Sequence, residues 1–298
     1  MTAPVSSTLH MDKLDASRDQ VGESPLWSVA EQALYWVDIE GRQVRRFDWA
    51  TRRVESWACA ERVACLALHA QGGLVAAMES GVFQLRLSAS GLTATRLCDI
   101  AHPRDGMRFN DGRCDRQGRF WSSTMVRDMS LASPFGALFR LDGRGLSAPL
   151  VSGLITGNGL AFSPRGEVMY LSDSHPSVRR IWAFDLDADG TPTQRREFVD
   201  MNRHPGRPDG AAVDADGGYW ICANDAGLVH RFTPDGRLDR SIPVPVPKPS
   251  MCAFGGPQLR HLFITSIRLP SAADDAPDGS VFVTEPGVTG LPEAAFAF

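Results

Sequence analysis

The stretch Asn158-Gly-Leu-Ala-Phe162-Ser-Pro-Arg-Gly166-Glu-Val-Met-Tyr-Leu-Ser-Asp-Ser174 reads as a strand, a glycine turn and a second strand rich in aromatic and β-branched residues. The same order recurs along the chain. The second-strand segments are Leu34–Ile39, Leu74–Met78, Phe120–Met125, Met169–Ser174, Tyr219–Asn224 and Leu262–Ile267. They return about every 40 to 50 residues, the spacing of propeller blades. Turns such as Asp115-Arg-Gln-Gly118 and Asp214-Ala-Asp-Gly217 separate the first two strands, with Gly accepting positive φ. Third strands follow at Gly136–Leu141, Arg180–Phe184 and Leu228–Phe232. Six such units predict an all-β fold, a six-bladed β-propeller of four-stranded blades. Residues 1–298 are read as one domain. The final blade lacks an outer strand after Ser280–Thr284, and the segment Val5–Leu14 is the expected donor that closes the ring.

Composition narrows the function classes. The chain has 298 residues, a formal net charge of -4 and no basic run, so nucleic-acid binding has little support. Its apolar stretches are strand-sized, far short of a membrane span. The N-terminal twenty residues are charged and lack a signal-peptide core, which reads as cytoplasmic. The six cysteines are scattered without a C-x-x-C pair and read as reduced thiols, and the histidines lack ligand spacing.

The repeat itself points to chemistry. At one register of the first strand stand Glu23, Asn110, Asn158 and Asp209, while the second and sixth units carry Ala64 and Met251. Blades arranged around an axis bring equivalent positions together. Taken singly, Asn-Gly and Asp-Gly pairs are ordinary turn formers. Taken together, four converging oxygens make a site for a hard divalent cation: Ca²⁺, Mg²⁺, Mn²⁺ or a tolerant Zn²⁺. Buried carboxylates are costly unless paired or coordinated, and no Lys or Arg occupies the equivalent positions.

The motifs Gly22-Glu-Ser-Pro-Leu-Trp27, Arg108-Phe-Asn-Asp-Gly112 with Gly118-Arg-Phe-Trp121, Thr156-Gly-Asn-Gly-Leu160, Pro208-Asp-Gly210 and Phe254-Gly-Gly256 occur in order over nearly the whole chain. In these the sequence resembles the regucalcin (senescence marker protein) and gluconolactonase family of six-bladed propellers. The resemblance implies one divalent ion, Ca²⁺ or Zn²⁺ ahead of Mg²⁺ or Mn²⁺, held by Glu23, Asn158 and Asp209. It implies substrate contacts from Arg108 and Asn110, with Asn110 a possible further ligand, and by spacing from Asp128, where the family carries Glu. Arg127 beside it is a further cation that faces either the pocket or the surface.

The expected activity is metal-dependent hydrolysis of a sugar lactone, an aldonolactone or an aldarolactone, with Asp209 as general base. Three other readings use the same chain differently. They are a phosphotriester hydrolase on the same ion, a calcium-binding regulatory protein without turnover, and a protein-interaction scaffold.

Overall fold

The computed structural model describes residues 10–14 and 17–298. It contains six antiparallel sheets, and the innermost strands pack side by side in a closed ring, the sixth against the first. Blade 1 comprises Gly22–Ser28, Ala33–Asp38, Gln43–Asp48 and Val54–Ala58. Blades 2 to 6 begin with the inner strands Val63–Leu68, Met107–Cys114, Gly157–Phe162, Arg207–Val213 and Pro249–Gly255. The outermost strand of blade 6 is Asp12–Lys13, paired antiparallel with Phe282–Thr284 through Asp12–Val283 and Lys13–Phe282. Of the segment named as ring-closing donor, residues 5–9 lie outside the described part. Blade 3 departs from the four-strand pattern. Its outer position is shared by Gly145–Leu146 and Val151–Leu154, with Pro149, which has no N–H to donate, in the gap.

Apolar residues alternate along the strands and meet between blades, so the core is six inter-blade clusters rather than one central mass. A repeated polar device ties turns to second strands. Buried Asp19, Asp115 and Asp214 each accept an indole N–H, from Trp36, Trp121 and Trp220 at 2.7–2.8 Å. Each also pairs with an arginine Nε, of Arg45, Arg119 and Arg231, at 2.6–2.7 Å. Among the described residues helix is confined to two single turns, Met129–Leu131 and Met201–Arg203, and no helix is long and apolar enough to cross a membrane.

The C-terminal segment crosses one face of the ring. Gly290 bridges to Asp214 of blade 5, and Phe296 bridges to His69 at the end of the blade 2 inner strand. Blades 2 and 5 lie opposite each other in a ring of six. These few residues therefore span a diameter and pass over the axis. Glu293 meets Arg113 at 3.5 Å on the way, and Phe296 is buried.

Candidate metal and substrate pocket

At the other face the inner strands begin, and there each strand breaks register with its neighbour. The shifts fall between Glu23 and Leu26, Phe109 and Gly112, Asn158 and Ala161, and Pro208 and Ala211. Blades 2 and 6 shift at Val63–Cys65 and Pro249–Cys252. A bulge re-aims side chains, here toward the axis. Ser24, Gly159 and Gly210, which follow three of these positions, are small where the inner strands nearly touch. A Cβ on Gly210 would lie 2.3 Å from the Met251 Cβ, and one on Gly159 would lie 2.5 Å from the Tyr219 hydroxyl. Gly159 also sits at φ 61°, in the left-handed region. Asn158-Gly159 and Asp209-Gly210 thus lie within strands, and neither pair forms a hairpin turn.

The pocket so formed has a volume of about 100 Å³. Its polar lining includes Glu23, Arg108, Asn110, Asn158, Asp209 and Arg207, and its apolar wall includes Met125, Met129 and Ile267. A larger cavity of about 400 Å³ lies at the far ends of the blade 4 and 5 inner strands, beside Ser163–Pro164 and Asp216–Gly217. Only the smaller one gathers buried carboxylates and amides.

The hydrogen bonds divide the labour among these groups. Asn110 is fully engaged: its Oδ1 accepts from Arg108 Nη1 at 2.7 Å, and its Nδ2 donates to the Gly157 carbonyl at 2.9 Å and to Asn158 Oδ1 at 3.1 Å. Asn158 donates to Ser174 Oγ at 2.9 Å, which fixes its amide and turns Oδ1 toward the pocket group. Glu23 Oε2 accepts from the Ser24 N–H at 2.9 Å. Asp209 Oδ2 accepts from Asn224 Nδ2 at 2.6 Å. Among the described residues neither carboxylate makes an ion pair, and Asp209 Oδ1 has no protein donor.

Electrostatics follow from that geometry. Burial pushes the Glu23 carboxyl well above its ordinary range, and the neighbouring charges of Asp209 and Asp111 push the same way. Burial raises Asp209 to about 7, opposed by Arg207 and by the Asn224 hydrogen bond. Asp111 is raised to about 6, again by burial, with the Leu160 N–H to its Oδ2 at 2.7 Å opposing. Its Oδ1 is buried without a partner. Burial lowers Arg108, against the attraction of Glu40 and Glu23.

These groups fit a hard divalent cation. Two buried carboxylates that make no ion pair among the described residues, an oriented amide oxygen and no thiolate or imidazole form an oxygen donor set. Among the described residues no cluster of three or more His, Cys, Asp or Glu could hold a metal, so an amide oxygen is needed to complete such a set.

The structure brings Glu23, Arg108, Asn110, Asn158 and Asp209 together, and it leaves Asp128 outside. Asp128 is exposed and caps the turn Met129–Leu131, its Oδ1 accepting from the Ser130 N–H and hydroxyl at 3.0 and 2.6 Å. Arg127 is exposed as well. That same turn instead carries Met129 to the pocket wall, held by His175 Nε2 against its carbonyl at 3.1 Å. Three nearby groups were not anticipated: Asp111, Asn224 and Arg207.

Residues 21–268 match the family described as SMP-30/Gluconolactonase/LRE-like region. The chain belongs to this family. Among its relatives, the 6-deoxy-6-sulfogluconolactonase of Pseudomonas putida is 38% identical over 93% of this chain and 95% of its own. The L-arabinolactonase of Azospirillum brasilense is 33% identical over 94% and 93%. A solved structure of regucalcin, a calcium-binding protein from Agrobacterium tumefaciens, superposes with a TM-score of 0.89 at 26% identity, covering 97% of this chain and 98% of that one. The matched residues cover all six inner strands, four of which place their register residue, Glu23, Asn110, Asn158 or Asp209, in the pocket lining.

Proposed function

We propose that this family member is a divalent-metal-dependent lactonase that opens a sugar lactone to its acid. It is a hydrolase acting on the ring ester of lactones, the activity named in its sulfogluconolactonase and arabinolactonase relatives. The observation that carries the reading is the pair Glu23 and Asp209: two buried carboxylates that line one pocket and, among the described residues, make no ion pair, although Arg108 and Arg207 line it too. Glu23, Asn158 and Asp209 would hold the ion, Ca²⁺ or Zn²⁺ foremost. Such an ion supplies Lewis-acid polarisation of the ester carbonyl.

The chain's own groups do the rest. Asn224 pins one oxygen of Asp209 and leaves Oδ1 to take a proton from the attacking water. When the acyl–oxygen bond breaks, that proton passes from Asp209 to the departing ring oxygen, which becomes a hydroxyl. Asn110 holds Arg108 through its Oδ1 at 2.7 Å, so the remaining guanidinium donors of Arg108 are preset toward ring hydroxyls. Met125, Met129 and Ile267 keep bulk water from the other wall.

Chelated protein assayed against aldono- and aldarolactones, with Ca²⁺, Mg²⁺, Mn²⁺ and Zn²⁺ restored singly, tests this. Turnover returning with an ion supports the reading and names the lactone class. A folded, ion-bound protein without turnover sinks it in favour of phosphotriester hydrolysis or calcium binding alone.

A further inference from the structure

The rim of the pocket carries two cations, Arg207 and Lys248, to which neither ion holding nor ester opening assigns a direct contact. Arg207 lines the pocket. Its Nε lies 2.5 Å from Asp225 Oδ2, its Nη2 donates to Asn224 Oδ1 at 3.1 Å, and its Nη1 donates to the Ser174 carbonyl at 3.3 Å. Lys248 pairs with the other oxygen of Asp225 and reaches Asn224 Oδ1 at 3.4 Å. Two cations therefore share one carboxylate, and the group keeps one positive charge.

Several features make this more than a surface ion pair. Asp225 holds both cations from a left-handed backbone at φ 75°, a conformation that costs free energy and concentrates at functional sites. The Arg207 and Lys248 side chains are only 19% and 26% exposed, so their charges are less screened than those on the open surface. A guanidinium has five N–H donors and an ammonium three, so each retains free donors after these contacts. Asn224 links the group to the candidate base, since its Nδ2 donates to Asp209 while its Oδ1 faces the cations. Two hydrogen bonds and one amide width put Arg207 Nη2 at most roughly 8 Å from Asp209 Oδ2. A six-carbon sugar acid, with bonds of about 1.5 Å, reaches about 6 Å from its carbonyl carbon to its far end. Both ends of one ligand can thus be served together.

We infer that Arg207 and Lys248 select lactones carrying a second acid group at the end remote from the ring carbonyl. This rests on the reading of the pocket as a sugar-lactone site. Arg127, the further cation beside Asp128, is exposed, whereas Arg207 lines the pocket and Lys248 stands beside it.

D-gluconate and D-glucarate form the matched probes, because they differ only in a hydroxymethyl against a carboxylate at the far carbon. Calorimetric titration would use Ca²⁺-loaded wild type, Arg207→Gln and Lys248→Met, with free Ca²⁺ buffered. Wild type is expected to bind glucarate five- to tenfold more tightly than gluconate, with the preference shrinking as salt is raised. In each variant the preference falls below twofold. Equal binding of the two acids by wild type, binding of neither, or a preference that survives both substitutions overturns the inference and leaves the rim as a brace between blades. Lactone turnover by wild type is scored separately. Its absence defeats the lactonase reading, while the glucarate preference still decides the role of the rim.

Discussion

Replacing Asp209 with Asn should make the ion-free protein more stable and the ion-loaded protein less so. The carboxyl is buried and raised from 3.8 to about 7, mainly by burial, so the folded chain disfavours its charged form. A raised folded-state value contributes stability that is complete below the unfolded value and is lost as pH climbs through the folded one. The cost therefore grows between about pH 4 and pH 7 and reaches at most about 4 kcal/mol at pH 8. Asn removes the charge, keeps an oxygen for the Asn224 N–H, and still bears the cost of a buried amide. A gain of about 1–3 kcal/mol follows, or about 1.5–2 °C in Tm for each kcal/mol in a chain of this size. On the proposal that Asp209 holds the ion, Ca²⁺ at a thousandfold excess over Kd stabilises wild type by about 4.1 kcal/mol and the variant by less, which reverses the order. Thermal unfolding of both proteins at pH 5 and pH 8, with chelator and with Ca²⁺, measures all four values. A variant less stable than wild type in chelator at pH 8, or one stabilised by Ca²⁺ as strongly as wild type, refutes the reasoning.

Asn224→Leu removes the donor that fixes Asp209, and kcat should fall roughly 10- to 100-fold with the fold retained, as seen by steady-state assay and circular dichroism. Asp128→Ala should leave kcat/KM within about twofold, because its side chain serves only an exposed turn. Asp214→Asn weakens the buried Nε contact of Arg231, which keeps its pair with Asp239 at 3.0 Å, and should cost about 1.5–3 kcal/mol in denaturant unfolding, a difference from wild type that added Ca²⁺ does not remove.

The legible part of the site was the part that repeats. Glu23, Asn110, Asn158 and Asp209 share a register, and equivalent registers in a closed ring must meet. Less legible was the bulge at that register, which depends on how inner strands pair. It explains why Asp111, adjacent to Asn110, also turns inward and is buried near Glu23 and Asp209. Asn224 lies at the end of a second strand, where the first-strand register offers no guide. Asp128 was placed by spacing, but the capped turn at Met129 swings its carboxylate outward and presents the neighbouring Met instead. Local hydrogen bonding of an Asp to its own turn overrode the count of residues.

The diagonal strap from Gly290 to Phe296 covers the ring face opposite the pocket. On the lactonase proposal, substrate and product both use the pocket face, whose rim carries Arg207 with Lys248 beside it. A freshly opened acid therefore leaves past the cations that would have admitted its precursor. Rapid catalysis at such a pocket depends on those cations releasing the acid as readily as they admit the lactone.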